Sequence, residues 1–141
     1  MIPRYRVWVK IGKRMVFSDD ILGIDYENKE IVTQQVYFEN GLPDDRDIYC
    51  YDLEDIEFMQ STGLKDKNGK EIFEGDILAC KTDDEVINLN IFWDEEHALF
   101  MFESKKYNEQ EPLAELVENN TYPFEIIGNI YENPELLEDK E

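Results

Sequence analysis

Apolar and polar residues alternate along most of this chain, and the alternation is broken at glycine, asparagine and proline. From Arg4 to Ile11 the period is two, with Tyr5, Val7, Val9 and Ile11 on one face and Trp8 on the other. Gly12-Lys13 is the turn, and Arg14 to Phe17 returns. A second pair of strands is predicted over Ile21–Tyr26 and Ile31–Glu39 around Glu27-Asn28-Lys29-Glu30, followed by a loop at Asn40-Gly41-Leu42-Pro43-Asp44-Asp45. A strand restarts at Ile48–Tyr51. Asp52-Leu53-Glu54-Asp55 is either one helical turn or a loop, and Ile56, Phe58 and Gln60 then alternate into the central stretch.

That central stretch, Met59 to Leu78, is punctuated by Gly63, Gly69 and Gly75. Asn68-Gly69 is a strong hairpin signal, because a type I′ turn needs positive φ at both central residues and these two tolerate it. Leu64–Lys67 is therefore expected to pair with Lys70–Phe73, and Gly75 to kink the chain before Asp76-Ile77-Leu78-Ala79-Cys80. The stretch reads as the entrance to a small barrel. Further strands are predicted at Glu85–Phe92 and Leu99–Glu103, separated by the acidic turn Asp94-Glu95-Glu96, with Trp93 at the bend. One short helix is expected near 111–119, where Pro112 suits the first turn and Leu113, Leu116 and Val117 make an i, i+3, i+4 stripe. Phe124–Ile130 returns as a strand closing the barrel, and Pro134-Glu135-Leu136-Leu137 caps it.

Composition adds constraints on what such a fold can do. With 141 residues, 42% hydrophobic and 13% aromatic, the chain can bury a real core, roughly two-thirds of its unfolded surface. Its 34 acidic residues against 14 basic ones give a formal net charge of −20, which repels a phosphate backbone or an anionic membrane. The basic residues Arg4, Arg6, Lys10, Lys13 and Arg14 are spread along one hairpin, as edge-protecting or solvated positions are. The N-terminus has no basic segment followed by an apolar stretch, no apolar run reaches the roughly 18 residues a bilayer needs, and a cytoplasmic location is expected. Cys50 and Cys80 are expected to be buried thiols in strands.

Candidate chemistry is sparse. Counting a calcium loop from Asp66 puts Glu71 at the glycine position and Ile77 at the bidentate glutamate position, so the tract is not an EF-hand. Two cysteines and His97 cannot fill a four-ligand zinc site without carboxylates. The pairs Asp19-Asp20, Asp44-Asp45 and Asp83-Asp84 have the residue type for magnesium, and His97 that for a general base, but adjacent acids in turns are expected in so acidic a chain. Trp8, Tyr37, Phe38, Trp93, Phe100 and Phe102 either form an aromatic platform for a ligand or, as large apolar side chains usually do, build the core. The residues specify a folded β-rich protein and leave its role open.

The run Gln60 to Leu78, the tail Phe124-Glu125-Ile126-Ile127-Gly128-Asn129-Ile130-Tyr131-Glu132-Asn133-Pro134-Glu135-Leu136-Leu137 and the opening Pro3-Arg4-Tyr5-Arg6-Val7-Trp8, with Met15 after a turn, resemble the YopX family of phage and prophage proteins. The resemblance covers essentially the whole chain. It implies a C-terminal part similar to an SH3-type barrel and a phage or prophage origin, and it carries over no activity and no catalytic residue. The expected fold is mainly β (β-rich α+β): an N-terminal meander of hairpins over 1–58, packed with a C-terminal SH3-like small barrel over 59–141. The expected function is a non-enzymatic protein-interaction module for a phage or host protein, with Trp8, Tyr37, Trp93, Asp94, Glu95 and Glu96 as its surface and Asn68, Gly69 and Gly75 as structural turns. No cofactor or metal, no direct nucleic-acid binding and no membrane is expected, while open strand edges permit a homo-oligomer. The alternative is an acidic mimic of DNA that inhibits a host nucleic-acid-binding enzyme.

Overall fold

β-branched side chains fit a pleated, buried surface. In the computed structural model Val7, Val9 and Val16 accordingly sit in strands Tyr5–Val9 (β1) and Arg14–Phe17 (β2), with Val7 opposite Val16. The structure describes residues 4–119 and 122–138. The chain divides into two compact units, Met1–Met59 and Gln60–Glu141, each with a core of its own.

In the first unit a 3₁₀ turn, Ser18–Asp20, leads from β2 into Ile21–Asp25 (β3), Glu30–Glu39 (β4) and Leu42–Asp52 (β5), which form a three-stranded antiparallel sheet in that order. β4 and β5 pair along their whole length, from Glu30 opposite Asp52 to Glu39 opposite Leu42. β3 accompanies β4 only from Glu30 to Thr33. The expected helical turn after β5 is a 3₁₀ turn at Leu53–Asp55, and Ile56–Lys65 (β6) follows. Val7, Val9, Val16, Ile31 and Ile56 form this unit's core.

β6 continues into the second unit, where Ser61 and Lys65 pair with Phe73 and Glu71 of Glu71–Phe73 (β7). Asp76–Lys81 (β8), Val86–Asp94 (β9), Leu99–Ser104 (β10), Glu109–Pro112 (β11) and Phe124–Asn129 (β12) form an antiparallel sheet of order β11-β10-β9-β8-β12, curled as a half-barrel. The helix Leu113–Asn119 (α1) lays Leu113, Leu116 and Val117 against Ile72, Leu78, Cys80, Leu89, Ile91 and Phe124 in this unit's core. Gly75, with φ +88, turns the corner from β7 to β8; its N–H donates to Ile91 and its carbonyl accepts from Ile130, so the corner also fastens β9 and the end of β12.

The protein is thus mainly β with one short helix, but several local expectations change. The helix starts at Leu113, because Glu111 and Pro112 are held by β11 opposite Phe102 and Met101. Cys50 is exposed on β5, while Cys80 is buried as expected. Burial of Ile56 and Met59, with Phe58 exposed, breaks the alternation predicted for β6.

Both Asn-Gly dipeptides lie in hairpin turns, but the two-residue turn expected at Asn68-Gly69 forms at Asn40-Gly41 instead. Asn40 and Gly41, placed in a loop by the sequence, both have positive φ (+54 and +79) and join Glu39 directly to Leu42, which is the two-residue primed turn. At Asn68-Gly69 only Gly69 is left-handed, at φ +79. There Asp66 N–H donates to Lys70 O and Gly69 N–H donates to Asp66 O, closing a three-residue hairpin loop over Lys67, Asn68 and Gly69. The Asp66 carboxylate explains the difference, since it accepts from the N–H of Asn68 and of Lys70, each at 2.9 Å, and so widens the turn. No atom lies within 4 Å of a Cβ built on Gly69, so a substitution there meets only backbone strain. Gly69→Val is expected to lower the urea midpoint by an amount equivalent to about 1–3 kcal/mol, with Gly69→Asn recovering most of it.

Candidate interaction surface

The β4–β5 hairpin extends past the end of β3, and beyond Thr33 it is a two-stranded arm. A strand pair with no third strand and little behind it exposes both faces, so side chains that alternation would send to a core point to solvent instead. Phe38 and Leu42 flank the Asn40-Gly41 tip and are 66% and 70% exposed; Ile48, farther down, is 47% exposed. The same stretch carries Glu39, Asp44, Asp45 and Asp47, with Arg46 as the basic residue. A bulge in the register lets Tyr37 face Asp45 and Phe38 face Pro43, so Asp44 has no direct partner in the ladder.

The shaft of the arm is held by side chains. The Tyr37 hydroxyl donates to the Asp47 carboxylate at 2.8 Å, and Tyr49 OH shares the same oxygen at 3.4 Å. The hydrogen bond to Asp47, then partial burial and the Asp47 charge, push the Tyr37 phenol up to about 12, so it stays a neutral donor. Tyr49 stacks on Tyr51, and the Arg14 guanidinium lies over the Tyr49 ring, 5.1 Å from its centroid. Arg46 donates to Gln34 at 2.9 Å and Arg14 donates to Gln35 at 3.1 Å.

The residues proposed from sequence fall in different settings. Trp8 is 8% exposed and belongs to the interior, because β1 is buried on both of its faces. Tyr37 is on the arm. Trp93, Asp94, Glu95 and Glu96 gather at the β9–β10 turn of the second unit, where Trp93 meets Phe100 edge-on at 5.0 Å. Asp94 ends β9, accepts from Glu96 N–H at 3.0 Å and pairs with His97 Nδ1 at 2.7 Å. The His97 contact, helped by the backbone N–H groups and opposed by slight burial, holds the Asp94 carboxyl below the usual range. His97 therefore serves the turn. Among the described residues no group of three or more His, Cys, Asp or Glu converges as a metal site, and no helix is long and apolar enough to cross a membrane. The sequence reading missed Leu42 and Ile48, although Asn40-Gly41 between Phe38 and Leu42 was the available signal.

Comparison with known proteins places this geometry. A family model described as YopX protein matches residues 4–138. The chain belongs to the YopX family. A solved structure of protein EF1440 from Enterococcus faecalis is similar at 30% identity and a TM-score of 0.62, over 98% of this chain and 99% of that one. The structure of YopX from Bacillus subtilis is similar at 20% identity and a TM-score of 0.61, over 96% of this chain and 98% of that one, a likeness of fold. No curated protein matches the chain. The YopX match reaches from β1 through the Pro134–Leu137 turn, so it takes in both units.

Proposed function

We propose that this YopX-family chain is a phage or prophage protein that acts as a non-enzymatic interaction module in the host cytoplasm. The observation that carries the reading is the arm, whose tip presents Phe38 on one face and Leu42 on the other to solvent, in a stretch that also carries Glu39, Asp44, Asp45 and Asp47. Large apolar side chains on a projecting hairpin are the kind of anchor that protein interfaces bury, and the acids of the same stretch select the partner by charge. The fitting occupant is a protein with an apolar cleft rimmed by lysine and arginine.

Affinity capture at low and moderate salt, with wild type and the Leu42→Ser/Ile48→Ser variant side by side, tests the reading. The expected result is a protein retained by wild type in both salts and lost by the variant, whose melting profile stays that of wild type. A salt-sensitive catch of DNA-handling enzymes that the variant keeps would overturn it in favour of the DNA mimic, because screening weakens long-range charge attraction and not apolar contact. An empty column from both proteins would also overturn it.

A further inference from the structure

Beside the arm's shaft runs a groove of about 430 Å³, with Arg14, Met15 and Val16 of β2 on one side and Gln34 to Val36 of β4 on the other. Phe38 lies at one end and Asp19 and Asp20 at the other. Two strands with an unpaired edge line this space. β2 stands at the end of its strand order, next to β1. β4 has β5 on one edge throughout, while on the other edge β3 stops at Thr33. Among the described residues no strand pairs with Gln34–Phe38 on that side. Alternate residues of an edge point N–H and C=O outward, a pattern that an extended backbone completes.

We infer that the groove receives an extended segment of the partner, which adds as a strand along β4 in the place that β3 vacates. The inference rests on the interaction reading but uses the free edge of β4, which shares Phe38 with the arm tip and not Leu42 or Ile48. The stretch Gln34–Phe38 matches a short strand in length. Met15 and Val36, both half-buried, offer apolar contact to guest side chains, and Asp19 with Asp20 favours lysine or arginine at the end near Gln34. The Arg14–Gln35 bond and the Gln34 Nε2 bond to Asp19 O, at 3.1 and 3.4 Å, are solvent-exposed and can yield to a guest. The net charge of −20 disfavours a second copy as that guest.

Three fluorescein-labelled ten-residue peptides test this, each alternating valine with threonine and ending in a pair of lysines, glutamines or glutamates. Fluorescence anisotropy with the full chain is expected to rank them lysine, glutamine, glutamate. The lysine peptide N-methylated at alternate amides is expected to bind at least about tenfold more weakly, the equivalent of one or two lost backbone hydrogen bonds. Amide exchange is expected to slow at Gln34–Phe38 when the lysine peptide binds, and Asp19→Lys/Asp20→Lys to remove the charge ranking. The Leu42→Ser/Ile48→Ser variant keeps peptide binding, so a failed arm and a failed groove are told apart. The inference is overturned by absence of binding from all three peptides, by equal binding of the methylated one, or by protection elsewhere. Protection of Gln34–Phe38 that rises with protein concentration alone would overturn it in favour of a second copy.

Discussion

Asp66→Ala is expected to unfold at a lower urea concentration than wild type, a loss of about 2–4 kcal/mol from three part-buried hydrogen bonds to one carboxylate. Asp66 is 6% exposed. One carboxylate oxygen takes the N–H groups of Asn68 and Lys70, and the other takes Ile126 N–H at 3.0 Å, sixty positions along the chain. The side chain thus shapes the β6–β7 turn and fastens it to β12. Burial pushes the carboxyl up, but the hydrogen bonds from Ile126, Lys70 and Asn68, with the Lys70 charge, outweigh it and hold it below the ordinary 3.8. A folded value below the unfolded one gives stability that is full above the unfolded value and lost as pH falls through the folded one. The gap between wild type and Asp66→Ala should therefore be widest near neutrality and narrow below 3.8. Urea titrations across that range check the sign, and a gap that is flat with pH would refute it.

Gly128→Ala is expected to cost about 2–4 kcal/mol, from overpacking and a displaced hydrogen bond together. A Cβ on Gly128 would stand 2.4 Å from Asn133 Oδ1, 2.7 Å from its Cγ and 2.9 Å from its Cβ. Asn133 cannot step aside freely. Its side-chain oxygen accepts from Asn129 N–H at 3.2 Å, its own N–H donates to Asn129 O, and its carbonyl takes Leu136 N–H. The glycine is there for room, at the register shift where β12 leaves its regular pairing with β8. Adding Asn133→Ala to Gly128→Ala removes Oδ1 and Cγ, the two nearest obstructing atoms, and leaves only Cβ, so the double variant should be more stable than the sum of the two single losses. Thermal melts of the four proteins decide this, and strict additivity would count against the clash.

Much of the fold was legible where apolar and polar residues alternate along a strand and a turn residue separates it from the next. β1 with β2, β3 with β4, and β9 with β10 were predicted near their observed bounds. The arm was not legible for the opposite reason. Leu42-Pro43-Asp44-Asp45-Arg46-Asp47 buries neither face, so it carries no alternation, and its strand character comes from pairing with β4. β11, the polar run Glu109–Pro112, was hidden in the same way. The two Asn-Gly turns were misassigned because the dipeptide specifies the tendency to turn, whereas the Asp66 carboxylate decides how many residues the turn contains. Of the candidate surface, Tyr37 was visible as an aromatic on a strand. Trp8 was misleading, since alternation put it opposite an apolar face whereas β1 is buried on both faces.

The strand order of the second unit also bears on how the protein is made. β8 lies between β9 and β12, and β12 is the last strand among the described residues. On a ribosome, the outer edge of Asp76–Lys81 is synthesised early and waits, with Cys80 and Leu78 uncovered on that side, until Phe124–Asn129 emerges to pair with it. The neighbouring hairpins, β8 with β9 and β9 with β10, close between residues adjacent in synthesis. The half-barrel can therefore close in the order of translation except for its final seam, and the Asp66 contact to Ile126, like the Gly75 contact to Ile130, waits for that seam.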